Sequence, residues 1–283
     1  ADETDLSSIE RIASARAFDI VGRVVRARGD RAAGEEFARR CVAEAELVLV
    51  DLPEHANALR LVAGGLNSLA FTIEKDPQRQ AEAAAIYERS IATMRKLIAI
   101  DPAVIEPRIN LATSLVNLGA IRMNRGDLDA SKALLVEAAD LAQKGRDELP
   151  TNVEATATLH NAVWFLGQLA GKQHDHRGQV DAALRLAALR PDEPRTQRIA
   201  GALLAEACAA IVADPALTED ERKAALATRQ ADSLRLLARA ADLGCADHEY
   251  LANHVHLAAV RDLEGFAAIV ERMRANAETR GAK

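Results

Sequence analysis

A small residue followed seven positions later by a Gly-Asp turn is the feature of this sequence that most constrains its fold. Three copies share the scheme: Gly22 with Gly29-Asp30, Gly119 with Gly126-Asp127, and Gly167 with Gly178-Gln179. In the third copy the turn is placed later, as if about four residues had been inserted. A small residue lets two helices approach closely, and a glycine allows the tight reversal between them. The pattern therefore predicts helix hairpins in series.

Start and stop signals place the helices between these turns. S/T-x-x-E capping boxes, which satisfy unpaired amides of a first helical turn, occur at 7–10, 151–154 and 218–221. Joints between long helical stretches carry a proline, at Pro53, Pro102, Pro150 and Pro191. We therefore expect helices near 7–28, 31–50, 54–74, 78–100, 104–124, 128–147, 152–171, 178–189, 195–213, 218–243 and 263–278, with short helical turns over 247–261.

The fold class that follows is all-α, an α-solenoid of antiparallel helix hairpins with a C-terminal capping unit. A single hairpin cannot bury its apolar face, so each must stack on the next. We expect residues 1–190 to hold the repeats, and 191–283 to hold a C-terminal helical repeat and the capping unit, continuous with the first part. Aromatic residues make up only 3% of the chain, so the core must consist mainly of alanine and leucine.

Composition argues against several classes of partner. The net charge of −6 predicts no nucleic-acid binding and no attraction to a membrane surface. We find no run of about 18 apolar residues, so we expect no membrane insertion by this segment. Cys41, Cys208 and Cys245 are scattered along the chain, and we interpret them as small buried apolar residues.

The spacing of small residues resembles that of tetratricopeptide repeats (TPR). Leu-Gly at hairpin positions seven and eight, Gly-Asp at fifteen and sixteen, and a closing Asp-Pro or Leu-Pro carry the resemblance over about residues 9–190. Residues 87–102 are similar to the second helix of one repeat. The aromatic positions of the family are mostly Ala, Leu or Val here. The resemblance implies a right-handed superhelix whose inner wall binds a protein or peptide.

The C-terminal segment resembles the helical region that follows the catalytic domain in planctomycete-type bacterial serine/threonine protein kinases. The similarity lies in a helix over 233–243 ending at Gly244, an acid at Asp247, and a final helix that begins near Phe266. We expect Gly244 to adopt a left-handed conformation, and Phe266 to close the open end of the stack. The resemblance implies a sensor or scaffold segment of a larger kinase. It would lie outside the cytoplasm if that kinase is membrane-anchored, and in the cytoplasm otherwise.

Kinase chemistry itself is absent from the sequence. Phosphoryl transfer needs a glycine-rich loop, a strand lysine, a His-Arg-Asp loop and an Asp-Phe-Gly metal site, and these do not occur in order. The triplet His176-Arg177-Gly178 lacks the acid. We therefore expect a segment that is not an enzyme and that needs no cofactor.

The TPR resemblance also implies which residues face the groove. In the family, positions two, five, nine and twelve of each first helix line the inner wall. Carried over to this chain, they are Arg16, Asp19, Arg23 and Arg26; Asn67, Phe71 and Glu74; Thr113, Val116 and Met123; and Asn161, Trp164 and Gln168. An aromatic anchor beside amides and arginines suits an extended peptide or a partner helix. The alternative for Trp164 is that its ring belongs to the core.

A second hypothesis is a helical domain that binds a metal or a small ligand through His160, His174, Asp175 and His176. The last three lie in one polar turn, and imidazole with carboxylate is a common ligand set. A polar turn of this kind is usually just solvated, so we expect no metal.

Overall fold

The computed structural model describes residues 3–281, and within that range it contains helices and no strand. The α-helices are α1 (Glu3–Ala27), α2 (Arg31–Asp51), α3 (Ala56–Ile73), α4 (Gln80–Ile100), α5 (Ile105–Asn124), α6 (Leu128–Glu148), α7 (Val153–Lys172), α8 (His176–Leu189), α9 (Pro194–Ala213), α10 (Glu219–Asp242), α11 (His248–Asn253), α12 (Ala258–Arg261) and α13 (Phe266–Gly281). Short 3₁₀ helices lie at Pro77–Arg79 and Val255–Leu257. The all-α prediction is confirmed, and most boundaries agree within a few residues.

The chain divides into two compact units, unit 1 over residues 1–159 and unit 2 over 160–283. The division falls within α7, whose bounds are Val153–Lys172. The boundary near residue 190 that we expect from the repeat pattern stays a prediction.

In unit 1 each helix packs against the next, from α1 to α6. The first helices of successive hairpins also contact each other, α1 with α3 and α3 with α5. Each helix therefore buries a stripe on both the next helix and the next hairpin, which is the stacking that the solenoid prediction requires. Fully buried side chains such as Leu66, Leu115 and Leu135 fill the space between the helices.

The turns between paired helices share one backbone geometry. Gly29 and Gly126 have φ values of +95° and +83° and accommodate the left-handed residue that ends α1 and α5. After each glycine, an aspartate amide donates to a carbonyl five residues back, Asp30 to Val25 and Asp127 to Arg122. The first two copies of the sequence pattern are therefore hairpin turns, as predicted.

Our placement of the third turn is wrong. The chain reverses at 173–175, and Gly178 lies inside α8. His174 takes the left-handed position with φ +55°, and the Asp175 amide donates to Ala170 as the other aspartates do. The spacing of seven from Gly167 is kept and nothing is inserted, because a histidine replaces the turn glycine.

A close contact across the α5–α6 hairpin repeats in α9–α10. Ser131 Oγ donates to the carbonyl of Gly119 at 2.8 Å, and Ser233 Oγ donates to that of Gly201 at 2.8 Å. The leucine four residues after each serine lies where a Cβ on the glycine would stand, within 2.9 Å of that position. The small residue is therefore required by the neighbouring helix.

The second helices of unit 1 carry ion pairs across the stack. Glu35 of α2 accepts hydrogen bonds from Arg79 at 2.7 Å and from Arg39 at 2.8 Å. These guanidinium groups, Arg79 first, lower the pKa of Glu35 from 4.5 to about 2. Further pairs link Arg95 of α4 to Glu137 of α6.

Unit 2 ends in a closing layer of short helices. Phe266, Ile269 and Val270 of α13 are buried in a cluster with residues of α9 and α10. Gly244 has φ +88° and ends α10, as we predict from the sequence. The C-terminal capping unit is therefore confirmed.

Helix α9 is the main core helix of unit 2. In length and composition its 20 residues would suffice to cross a membrane, which our search for apolar runs does not reveal. However, 61% of its most apolar window is buried inside the protein. We interpret α9 as a core helix for that reason.

Candidate functional site

A cleft of about 530 Å³ opens in unit 1 along the first helices α1, α3 and α5. It is lined by Arg16, Asp19, Ile20, Arg23, Arg26, Asn57, Arg60, Leu61, Gly64, Asn67, Ser68, Met94, Glu106, Asn110, Ser114 and Glu154. The stacking of alternate helices brings these residues together, since α1 contacts α3 and α3 contacts α5. Five residues that we predict for the groove line this cleft: Arg16, Asp19, Arg23, Arg26 and Asn67.

The charge of the cleft differs from that of the chain. Four arginines face three carboxylates there, an excess of one positive charge in a chain of net charge −6. Arg23 pairs with Asp19 at 3.2 Å, and Arg60 Nε lies 3.6 Å from Glu106. Arg16 is exposed and makes no hydrogen bond or ion pair with the part of the chain that the structure describes. Its guanidinium is therefore available to an anionic group.

Amide side chains form the floor of the same cleft. Asn67 Oδ1 accepts a hydrogen bond from Ser114 Oγ at 3.1 Å, and this bond fixes the orientation of the amide. The Nδ2 group of Asn67 and the side chain of Asn110 have no partner among the described residues, and both are half-buried. Amides of this kind can pair with the main chain of an extended peptide.

Phe71 lies beside this cleft but does not line it. Its ring is 44% exposed, and the guanidinium of Arg26 lies over it at 5.2 Å. Arg26 also donates to the carbonyl of Ser68 at 3.2 Å. Arg26 is therefore held between two groups of α3, which leaves it less free than Arg16.

The register we assign to the third hairpin is wrong by one residue. Val116 and Met123 are buried, at 3% and 6% exposure, so they belong to the core. Thr113 is half-buried, and its hydroxyl lies 3.0 Å from that of Thr158. Asn117 occupies the half-exposed position next to Val116. Glu74 of the second hairpin is half-buried and accepts from the Tyr87 hydroxyl at 2.8 Å.

The residues predicted for the fourth hairpin lie in unit 2. Trp164 and Gln168 are half-buried and line a separate pocket of about 270 Å³, whereas Asn161 is exposed and outside it. The other residues of that pocket are Arg195, Arg198, Ile199, Ala202, Leu203, Glu206, Tyr250, His254 and His256. The ring of Trp164 therefore faces both a pocket and Phe165, with ring centroids 4.6 Å apart.

Sequence reasoning missed several residues of the unit 1 cleft. Arg60 and Asn57 on α3, and Glu106 and Asn110 on α5, are not among the predicted residues. A signal for them exists, because polar residues recur at helical spacing along both segments. That spacing shows a polar face without saying whether it lines a cleft.

The histidines of the alternative hypothesis have separate partners. His160 Nε2 lies 3.0 Å from the Thr196 hydroxyl, and His176 Nε2 lies 3.0 Å from Asp214 Oδ2. Asp175 caps α8 by accepting from the amide of Gly178. Within the described residues no group of three or more His, Cys, Asp and Glu side chains is arranged to hold a metal ion.

The thiols do not form nucleophiles. Cys41, Cys208 and Cys245 are buried and free of disulfide bonds. Burial raises the pKa of Cys41 to about 12 and that of Cys208 to about 11. Both groups are therefore protonated at neutral pH, and a thiol is a poor nucleophile.

No protein-family model matches this chain, and no curated protein matches it. Two solved structures resemble it. The crystal structure of MamA protein has 14% sequence identity and a TM-score of 0.42, with 86% of this chain and 96% of that chain covered. The crystal structure of BtubC (BKLC) from P. vanneervenii has 15% identity and a TM-score of 0.46, with 100% and 94% covered. Similarities of this size carry no information about function.

Proposed function

We propose that this chain is a non-catalytic protein-interaction module whose unit 1 cleft binds an extended peptide with acidic side chains. The observation that carries the proposal is the wall of arginines and amides that α1, α3 and α5 bring to one cleft. Amides pair with the main chain of the peptide, and guanidinium groups pair with its carboxylates.

Two features favour an acidic partner over a basic one. The exposed Arg16 has no partner among the described residues, whereas the carboxylates of Asp19 and Glu106 lie near arginines. An anionic group can therefore pair with Arg16 without displacing an existing contact. A basic peptide would have to compete with Arg23 and Arg60 for the same carboxylates.

Fluorescence anisotropy with three labelled peptides tests this proposal. The probes are acetylated (Ala-Glu)₅, (Ala-Gln)₅ and (Ala-Lys)₅ carrying fluorescein. We expect the acidic peptide to bind, and the double variant Arg16→Ala/Arg23→Ala to weaken it by at least about tenfold through the loss of charged hydrogen bonds. The matched control is Arg89→Ala/Arg95→Ala, because it removes the same charge from exposed arginines of α4 that do not line the cleft.

Two results would overturn the proposal. One is that the acidic peptide fails to bind. The other is that both double variants weaken it equally, which would mean that the long-range charge of the protein, and not the cleft, attracts the peptide. Circular dichroism of each variant establishes that its helices remain intact.

We further propose that this module is the sensor or scaffold region of a larger bacterial serine/threonine protein kinase. The support is the sequence resemblance over 233–266, together with the role of this segment as the closing layer of unit 2. The full reading frame of the gene tests the idea. We expect kinase loops upstream of this segment, and a frame without them would refute the proposal.

A further inference from the structure

Unit 2 contains an aromatic pocket that is separate from the unit 1 cleft. Helix α7 supplies Trp164 and Gln168 to one wall, and α9 supplies Arg195 and Arg198. The segment after α10 adds Tyr250, His254 and His256. The volume of about 270 Å³ is slightly below the range of about 300–1,000 Å³ for pockets that hold drug-sized ligands. The pocket therefore fits roughly one amino-acid residue.

A column of stacked groups forms the far wall. The guanidinium of Arg198 lies 4.2 Å from the ring centre of Tyr250, and the His254 ring stacks 4.3 Å from the same ring. Two groups at these distances must cover opposite faces of Tyr250. His256 continues the column, 4.7 Å from His254, and its Nδ1 lies 3.5 Å from Glu206. The tyrosine ring is therefore already covered, and the half-exposed ring of Trp164 is the aromatic surface left for a ligand.

The uncompensated charge at this pocket is positive. Glu206 lies next to His256, and Asp247 lies 2.9 Å from Arg198 Nε. That N–H is not aligned with the Asp247 oxygen, so it makes no hydrogen bond despite the short distance. Arg195 is exposed and makes no hydrogen bond or ion pair with residues that the structure describes. A cationic ligand would meet both arginines, whereas an anionic one would pair with Arg195.

His254 does not add charge at neutral pH. Burial, then the neighbouring His256 and Arg198, lower the pKa of its imidazole. The ring is neutral at pH 7 and stacks on Tyr250 in that form. The two arginines therefore supply the positive charge of the pocket.

We propose that this pocket of unit 2 binds one residue that carries a free carboxylate and an apolar side chain, as at the C-terminus of a partner chain. The carboxylate pairs with the Arg195 guanidinium, which can form two parallel hydrogen bonds with it. The apolar side chain lies against Trp164 and is removed from water there. Arg198 and Gln168 border the same space and exclude solvent from it.

Titration with N-acetyl-L-leucine tests the proposal directly. Trp164 is the only tryptophan of the chain, so its fluorescence reports this pocket alone. We expect a saturable change in emission, with a dissociation constant in the millimolar range for so small a ligand. N-acetyl-L-leucinamide has the same apolar side chain without the charge, and we expect it to bind at least about tenfold more weakly.

Variants distinguish this site from general charge effects and from the unit 1 cleft. Arg195→Ala should weaken N-acetyl-L-leucine by at least about tenfold. Arg235→Ala is the matched control, because Arg235 is an exposed arginine of α10 that lies outside the pocket. Arg16→Ala/Arg23→Ala should leave the titration unchanged, so failure of one site is separable from failure of the other. Equal binding of acid and amide, or no change in emission with either, would overturn the proposal.

Discussion

Replacing Gly119 by alanine should destabilise the protein even though alanine favours helices. A Cβ at this position would lie 2.9 Å from Cγ and 3.0 Å from Cδ2 of Leu135, closer than side-chain atoms normally approach. Leu135 has no exposed surface, so it has no open space into which to move. Overpacking of a core costs about 1–3 kcal/mol, and the better helix propensity of alanine returns about 1 kcal/mol. The expected net loss is about 0.5–2 kcal/mol.

Gly64 provides the matched control for this substitution. It also lies inside a helix, α3, but a Cβ there would meet nothing within 4 Å. Gly64→Ala should therefore stabilise the protein by about 0.5–1 kcal/mol, since only helix propensity and chain entropy change. Thermal unfolding followed by circular dichroism at 222 nm should give shifts of opposite sign for the two variants.

A double variant tests the cause that we assign to Leu135. Leu135→Ala removes the atoms that the new Cβ would meet, at a cost of about 2–5 kcal/mol by itself. In that background Gly119→Ala should become neutral or stabilising, which gives a coupling of at least about 1 kcal/mol. If Gly119→Ala behaves like Gly64→Ala in the original chain, or if its cost persists beside Leu135→Ala, close approach of α5 and α6 is not the reason for the glycine.

Three further predictions concern charge, capping and the thiols. Glu35 has its pKa lowered to about 2, so its pair with Arg79 stabilises the fold above pH 4.5 and is lost as the pH falls towards 2. The full shift corresponds to about 3 kcal/mol, which solvent screening reduces to about 1 kcal/mol, so Glu35→Gln should lower the free energy of unfolding at pH 6 and leave it unchanged at pH 2, as measured by urea unfolding. Thr218 accepts from the Glu221 amide in a complete capping box at the start of α10, so Thr218→Ala should cost about 1 kcal/mol in thermal unfolding while Thr218→Ser costs little. Cys41 and Cys208 should react with Ellman's reagent at pH 8 only after urea is added, and rapid labelling of the native protein would contradict their burial.

Local signals in the sequence predict most helix boundaries correctly. The capping box at 218–221 and the turn glycines Gly29 and Gly126 act through bonds within a few residues of themselves. Such bonds form in the same way whatever the rest of the chain does, so their position can be read without tertiary information.

The third turn shows where the local signal fails. His174 adopts the left-handed conformation that we expect of a glycine, and Gly178 lies in a helix. Few residues other than glycine adopt this conformation, so the sequence points to the wrong position. The tertiary contacts of α7 and α8 impose the turn: a Cβ on Gly167 would lie 3.0 Å from that of Ala182, which fixes where the helices cross.

The candidate sites are only partly predictable for a related reason. The family register places Arg16 and Asn67 at the cleft, but it assigns Val116 to the groove when it is core. One residue of a helix turns the side chain by about 100°, so a small error in register exchanges a buried face for an exposed one. The pocket of unit 2 joins Trp164 to Tyr250, and no spacing in the sequence relates these two residues.

The sequence alone determined that this chain forms paired antiparallel helices closed by a C-terminal layer. Helix caps, turn residues and apolar periodicity are properties of neighbouring residues, and they act before distant segments meet. The tertiary structure alone decided which polar residues share a cleft and which arginine remains unpaired. Those outcomes depend on how each helix rotates about its own axis as it packs, and packing settles that rotation between segments far apart in the chain.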